Sequence, residues 1–371
     1  MDDIGGVSDL MEIISYCFLE KNGNVVKSKN YKLPVVPASN MKLVTTISAL
    51  DFLGTDFRFN TRFYSRDNEL HLAGDPAFFL NDSIFTKNVM KTGLKKPDII
   101  YLENPKIDGT KYNRNWSYGD SDYSFQPKVT NFFINENCII KDGLKFNEDD
   151  YDYIHQNEEL FVPLRNPYTN FRKALGIANE KLPIKRPKKN HKEIENSFSY
   201  KVGINNVLKH ILYESCNFYA EVVFKYLSSL DTDTGSWEAS AKMIKERLSK
   251  INGAKEIRII DGSGLSKDNF LTTWFLSNLL LYAREKFGES FIKLLPTSGL
   301  GTLRKRLGEL KDYGIYAKTG TLFGVSSLSG YIESLEISFS IIMNNSLEKA
   351  KSRQEKIDKI LVDFIREYEK K

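Results

Sequence analysis

Only three of the 371 residues are cysteine, and Cys17, Cys138 and Cys216 lie far apart with no C-x-x-C pair. An odd, scattered set suggests neither a disulfide framework nor a zinc site, so the redox compartment stays open. Histidine is nearly as scarce: His71, His155, His191 and His210 are all there are, and G-x-S-x-G is absent, which leaves a histidine-based serine triad unsupported. Long hydrophobic runs are lacking too. The most apolar stretch, Trp274 to Leu281, is too short and too polar to span a bilayer, so no integral membrane segment is expected. Charge of one sign is not in excess, with 53 Lys and Arg against 48 Asp and Glu for a net +5. The one dense basic stretch, Lys185 to Lys192, is short and interrupted by Pro187; it reads as a solvated loop, and no nucleic-acid partner is expected. Met1 to Gly6 show neither the basic start nor the apolar core of a secretory signal, so either the protein is cytoplasmic or the sequence begins after a removed signal.

What is present is an ordinary globular composition, 41% hydrophobic and 27% charged. The length exceeds what one core usually organises, which favours a large domain with an insertion or two to three domains. Glu12 to Leu19 reads as a strand, followed by a turn at Lys21 to Asn24 and a second extended run. From Ser39 the spacing turns helical and runs to Gly54, a good C-terminal stop. Strands are expected again at Phe57 to Tyr64, Leu70 to Pro76 and Asp98 to Leu102, with a short helix before the last. Residues 103 to 200 are rich in Asn, Asp, Tyr and Pro and read as a mostly-β insertion. Helices follow at Ile204 to Glu214, Phe218 to Leu230, Trp237 to Ile251 and Thr272 to Phe287, then strands at Gly314 to Thr321, Ser326 to Glu333 and Glu336 to Met343, and a last helix. Strands at both ends around a helical centre predict an α+β fold: one antiparallel sheet assembled from the two termini, with helices packed on it. The corresponding domains are 1–72 with 201–371, and an inserted region at 73–200.

Serine needs a base within hydrogen-bond reach to act as a nucleophile. Ser39 and Lys42 lie one helical turn apart on one face, and lysine serves as a base when burial and neighbouring positive charge pull its pKa toward roughly 7 to 8. The positive end of the helix disfavours the ammonium and offers free N–H groups to an oxyanion. S-x-x-K alone is weak, since it recurs at Ser290 to Lys293 and at Ser346 to Lys349. Ser39 is distinguished by its company. Ser215-Cys216-Asn217 falls between two helices and Lys318-Thr319-Gly320 in a strand, completing the S-x-x-K, S-x-N and K-T-G set of β-lactamases and penicillin-binding proteins. The decoys Ser28-Lys29-Asn30 and Lys91-Thr92-Gly93 fail on chain order, the second reading as the end of a helix.

With these motifs the sequence resembles the class C low-molecular-mass penicillin-binding proteins, the D-alanyl-D-alanine carboxypeptidase/endopeptidases. Residues 36–46 (VPASNMKLVTT), 72–78 (LAGDPAF), 135–137 (NEN), 261–269 (DGSGLSKDN), 295–307 and 316–321 (YAKTGT) are similar to the family's segments, from about residue 10 to 345. Ala73 stands where glycine is usual, and the stretch between Lys42 and Ser215 is shorter than in larger members. The resemblance implies a β-lactamase/DD-peptidase-like domain with trimmed accessory regions. It implies an acyl-enzyme on Ser39, formed by attack on the penultimate D-alanine carbonyl of a peptidoglycan stem peptide, with Lys42 as base. Ser215 and Asn217 would bridge to the substrate amide, Ser215 passing a proton to the leaving amine. Lys318 would keep Lys42 neutral and steer the terminal carboxylate, which Thr319 would hydrogen-bond beside Gly320. The N–H groups of Ser39 and Thr321 would form the oxyanion hole. β-Lactams would be covalent inhibitors, no metal or organic cofactor is implied, cleavage of cross-links is a further option, and the setting would be extracytoplasmic or periplasmic.

Other readings stay open at this level. The lesser reading of Ser39 is a helix N-cap with Lys42 solvated, while Asn217 reads equally as the cap of the helix at Phe218. Asp261 and Ser263 read as organisers of a tight turn and Cys216 as a packed side chain. A β-lactamase, a D-amino-acid amidase or esterase, or a non-catalytic peptide-binding relative would share the motifs.

Overall fold

The computed structural model describes residues 12–140, 161–177, 182–187 and 197–370. The readings made for Met1 to Gly6, for His155 and His191, and for the basic stretch from residue 188 lie outside the described residues. The chain divides into two compact units, Met1–Phe52 with Leu208–Ala220 and Ala241–Lys371, and Leu53–Val207 with Glu221–Ser240. The expected insertion at 73–200 falls inside the second.

The first unit is built on a five-stranded antiparallel sheet in the order Ile315–Leu322, Val325–Ile332, Ile337–Asn344, Ile13–Leu19, Val25–Lys29. Both termini feed it, as the pattern of strands predicts. Its two faces are both covered. On one, Phe18, Leu328, Ile332, Phe339, Ile341 and Met343 pack against Ile357, Leu361, Phe364 and Ile365 of the last helix, Ala350–Tyr368; Phe18 stacks on Phe364 at 3.9 Å. Ile357, Ile360, Leu361, Phe364, Ile365 and Tyr368 recur at helical spacing, and this apolar stripe is the face that the helix turns to the core.

The other face is covered by the helix Thr273–Phe287, and small polar residues make that packing close. Ser277 Oγ donates to the carbonyl of Cys17 (2.9 Å), Ser338 Oγ to that of Ser277 (3.1 Å), and the hydroxyls of Ser15 and Thr273 share a bond of 2.9 Å. A buried hydroxyl costs free energy unless it is bonded, and these are. The helix Met41–Leu53 is buried on every side from Met41 to Asp51, which is how a core helix reads rather than a surface one. It ends before Gly54, whose φ of 80° suits a left-handed stop.

The second unit holds a mixed sheet, ordered Ile184–Lys185, Ile99–Glu103, Glu69–Gly74, Arg58–Arg66, Ser197–Gly203. Glu69–Gly74 and Ile99–Glu103 run parallel, joined through the helix Asp82–Lys91. Phe63, Leu70, Leu72, Phe85, Ile100, Leu102, Phe132 and Phe171 form its core. Between Glu103 and Ser197 the described residues carry the short strands Cys138–Ile140, Phe161–Pro163 and Ile184–Lys185, the helix Thr169–Ala174 and the 3-10 turns Tyr118–Asp120 and Asn135–Asn137; the rest is turn and loop, so the described part holds less strand than the mostly-β reading expects, its Asn, Asp and Pro content favouring turns.

Two segments of the family resemblance prove structural here. Gly74 has φ of 95°, and Asp75 fastens the strand end by accepting from Asn60 N (2.8 Å) and Tyr226 Oη (3.0 Å). Asn135, Glu136 and Asn137 have φ of 51°, 53° and 57°, one turn of left-handed chain that Asn tolerates best. The buried Asn137 amide holds it by donating to Lys128 O (2.6 Å) and Thr130 Oγ1 (2.8 Å). Among the described residues no helix is long and apolar enough to cross a membrane.

Candidate active site

Ser39 sits in a 3-10 turn, Ala38–Asn40, that runs straight into the helix Met41–Leu53. Ala38 holds a strained φ of 48° at the entry. The turn is clamped to the sheet by hydroxyls: Ser327 Oγ donates to Pro37 O (2.9 Å), and Asn40 Nδ2 donates to Ser329 Oγ (2.6 Å). Strand period places Lys318 and Gly320 on the same face as these serines, since Lys318 pairs with Ser329 and Gly320 with Ser327. A β-carbon on Gly320 would lie 2.3 Å from Ser327 Oγ and 2.9 Å from Ser39 N, so only glycine lets the strand lie against the serine turn.

Lys42 is fully buried. Its Nζ lies 3.0 Å from Ser39 Oγ, 2.6 Å from Asn217 Oδ1 and 2.9 Å from the carbonyl of Ser263. A neutral amine has two N–H donors and one lone pair. With Lys42 neutral, the two oxygens that can only accept, Asn217 Oδ1 and Ser263 O, would use the donors and leave the lone pair for the Ser39 hydroxyl. A contact of this length to a serine hydroxyl is what a general base requires.

Ser215 occupies the link between the helices Ile204–Tyr213 and Asn217–Ser228 with a left-handed φ of 61°. Lys318, also fully buried, donates from Nζ to Ser215 Oγ and to the carbonyl of Thr319, both at 2.9 Å. Burial holds the Lys318 amine well below its ordinary pKa, the charge of Lys42 adds to this, and Glu214 opposes it. Repulsion between two amines belongs to the pair, so the site resists carrying both protons.

Asn217 opens the helix Asn217–Ser228. Its carboxamide oxygen is turned to Lys42, while Cys216 Sγ accepts from the Tyr219 N–H (3.4 Å) at the same helix start. Asp261 and Ser263 do organise a turn. The Asp261 carboxylate accepts from Gly264 N (2.8 Å), Ser266 N (2.7 Å) and Asn269 Nδ2 (2.8 Å), wholly buried. Gly264, at φ of 87°, lets that turn rest on Ala38, where a β-carbon would meet the carbonyl oxygen at 1.9 Å. The carbonyl of Ser263 is the partner of Lys42 that sequence reading missed, because any residue type supplies a carbonyl.

Thr319 and Thr321 lie on the strand at the sheet's edge. Ala317 N donates away from the sheet, to Pro296 O (2.9 Å). Alternation then points the main-chain N–H and C=O groups of 319 and 321 to the same open side. The decoys stay apart: Lys293 forms a surface pair with Glu289 (3.3 Å), and Lys91 ends a helix before Gly93 at φ of 83°. His71 belongs to the second unit, where its Nδ1 lies 2.7 Å from Glu103 Oε1.

The chain has relatives among known proteins. The penicillin-sensitive carboxypeptidase A of Dictyostelium discoideum is 26% identical over 264 residues, 65% of this chain and 48% of that protein. The D-alanyl-D-alanine carboxypeptidase of Actinomadura sp. (strain R39) is 32% identical over 152 residues, 38% of this chain and 28% of its own. The aligned part therefore spans less than half of either relative. In fold, the chain is similar to penicillin binding protein 4 (dacB) from Haemophilus influenzae, with a TM-score of 0.74 at 16% identity and 94% of both chains covered. The predatory endopeptidase Bd3459 of Bdellovibrio bacteriovorus, in complex with an immunity protein, gives 0.63 at 16% identity, covering 96% of this chain and 94% of that one. A sequence profile of the D-Ala-D-Ala carboxypeptidase 3 (S13) family matches residues 19–191 and 201–364, and the chain belongs to that family.

Proposed function

We propose that this chain is a serine DD-peptidase, cleaving D-Ala-D-Ala ends of peptidoglycan stem peptides, and by the same chemistry cross-links, through an acyl-enzyme on Ser39. The observation that carries it is Lys42 Nζ at 3.0 Å from Ser39 Oγ, with two acceptor oxygens, Asn217 Oδ1 and Ser263 O, also within hydrogen-bond distance. Family membership and the names of the relatives, a penicillin-sensitive carboxypeptidase and a D-alanyl-D-alanine carboxypeptidase, support the substrate class.

In this reading Lys42 takes the Ser39 proton as Oγ attacks the penultimate D-alanine carbonyl. The oxyanion is received by the N–H groups of Ser39 and Thr321, and removal of one such donor typically costs about 100- to 1,000-fold in rate. Ser215, bonded to Lys318, relays to the leaving amine the proton that Lys42 took from Ser39, and Asn217 holds the substrate amide beside Lys42. Lys318 and Thr319 receive the terminal carboxylate, with Gly320 giving the strand its close approach. The open side of the strand pairs with the peptide backbone as an added strand. Water then hydrolyses the ester. Such a substrate places the protein outside the cytoplasm, and β-lactams would acylate Ser39; a penicillin G acylated form of the Bdellovibrio endopeptidase supports that expectation. Labelling with a fluorescent penicillin tests the reading: wild type takes one label, Ser39→Ala none, and an unlabelled wild type sinks it.

A further inference from the structure

The first turn of the C-terminal helix Ala350–Tyr368 carries no acidic residue, although the positive end of a helix favours one. It carries Lys351 and Arg353 instead. Arg353 is only 4% exposed, and a buried guanidinium needs acceptors. Its Nε donates to Ser326 Oγ (3.1 Å), its Nη2 to the carbonyls of Leu322 (3.1 Å) and Val325 (3.4 Å), and its Nη1 to the carbonyl of Glu348. Among the described residues these partners are neutral dipoles, three of them in one hairpin. Helix stability therefore does not explain the residue, whereas the hairpin does.

That hairpin closes the edge strand that carries the K-T-G motif. Leu322 and Val325 are its closing pair, and Ser326 stands directly opposite Thr321. The next residue of the helix, Gln354, donates from Nε2 to Thr321 Oγ1 (3.3 Å). Phe323 at the tip is 83% exposed, so burial of the tip does little to hold it. Two consecutive helical residues thus grip both sides of the same strand end, from the face away from Ser39.

We propose that Arg353 and Gln354 are positioning residues for acylation, fixing the end of the edge strand so that the Thr321 N–H stays aimed at the developing oxyanion. The inference rests on the serine DD-peptidase reading. Neither side chain touches the reacting atoms; both act through Thr321. A hydrogen-bond donor displaced by a fraction of an ångström weakens in the transition state, where its bond is strongest, more than in the ground state.

The test is stopped-flow acylation by a fluorescent penicillin, separating the acylation rate constant from the preceding binding constant, on wild type, Arg353→Met, Arg353→Lys and Gln354→Ala. Arg353→Met is expected to lower the rate constant about 10- to 100-fold with binding within about twofold, less than outright loss of an oxyanion donor. Arg353→Lys, which keeps the charge but not the fork, falls between that variant and wild type. Gln354→Ala removes one neutral, partly exposed hydrogen bond and is expected to slow acylation about three- to tenfold with melting temperature unchanged. Should Arg353→Met fail to fold, Gln354→Ala decides. Folded variants that acylate at the wild-type rate, or that lose only binding, overturn the proposal while leaving the peptidase reading standing. A wild type that takes no label overturns both.

Discussion

Replacing Gly320 by alanine asks how closely the edge strand lies against the serine turn. The added carbon would sit 2.3 Å from Ser327 Oγ, 2.9 Å from Ser39 N and 3.2 Å from Ala38 Cβ. Ordinary carbon contacts lie at about 3.5–4.0 Å, so strand and turn must part by roughly 1 Å. Ser327 cannot swing aside without giving up its bond to Pro37 O (2.9 Å), which itself holds the turn. Overpacking of this kind costs about 1–3 kcal/mol of stability. Catalysis should suffer more, because a 1 Å misplacement of reacting groups costs about 100-fold. The assay is the rate of acylation by a fluorescent penicillin, with far-UV circular dichroism to establish that the variant is folded. Gly93, the glycine of the other Lys-Thr-Gly triplet, is the control: nothing lies within 4 Å of a β-carbon there and only its φ of 83° is strained. Gly93→Ala should lose about 1–2 kcal/mol and acylate at the wild-type rate. A Gly320→Ala enzyme that acylates within about threefold of wild type, despite a 100-fold expectation, refutes the close packing.

Lys42→Met keeps the length and burial of the stem but removes the base; acylation should fall about 100- to 10,000-fold, and a wild-type rate would transfer the base role elsewhere. For Lys318, burial and Lys42 lower the folded pKa below 10.5, so below that pH the unfolded chain binds the proton that the folded site resists. The stability advantage of wild type over Lys318→Met should accordingly shrink as pH falls from 10.5 toward the folded value. Denaturant titrations across that range check it, and an advantage that grows on acidification contradicts it. Asp261→Ala strands the N–H groups of Gly264 and Ser266 and the Asn269 amide in a fully buried turn. It should cost about 2–4 kcal/mol in urea denaturation and also slow acylation, because the turn delivers the Ser263 carbonyl to Lys42. Loss of stability without any loss of rate would separate that carbonyl from the site.

What the sequence shows and what it hides divide along a physical line. Side-chain chemistry was legible: Ser39, Lys42, Ser215, Asn217 and Lys318 stand out in the sequence by residue type and spacing, and all fall in one cluster of the first unit. So was the terminal sheet, because period-2 alternation at Ile337–Asn344 and Ile13–Leu19 sorts residues to two faces. Main-chain chemistry was not. The Ser263 carbonyl at Lys42 and the Leu322 and Val325 carbonyls at Arg353 could come from any residue, so composition carries no mark of them. Nor could spacing reveal the parallel pairing of Glu69–Gly74 with Ile99–Glu103, since a short apolar run looks the same in either direction.

The serines of the sheet show how a correct pattern can carry the wrong meaning. In Val325–Ile332 and Ile337–Asn344, serine recurs at 327, 329, 338 and 340, a polar alternation that by itself describes a face turned to water. All four are at most 2% exposed. Two conditions reconcile the pattern with burial: helices cover both faces of the sheet, and each hydroxyl has a partner, Pro37 O for Ser327, Asn40 and Ser340 for Ser329, and Ser277 O for Ser338. A larger apolar residue at 327 would push away the turn that carries Ser39, as a methyl on Gly320 would. Small hydroxyls there give the close approach and satisfy the polar backbone of that turn. The polar stripe is therefore part of what brings Ser39 against the strand.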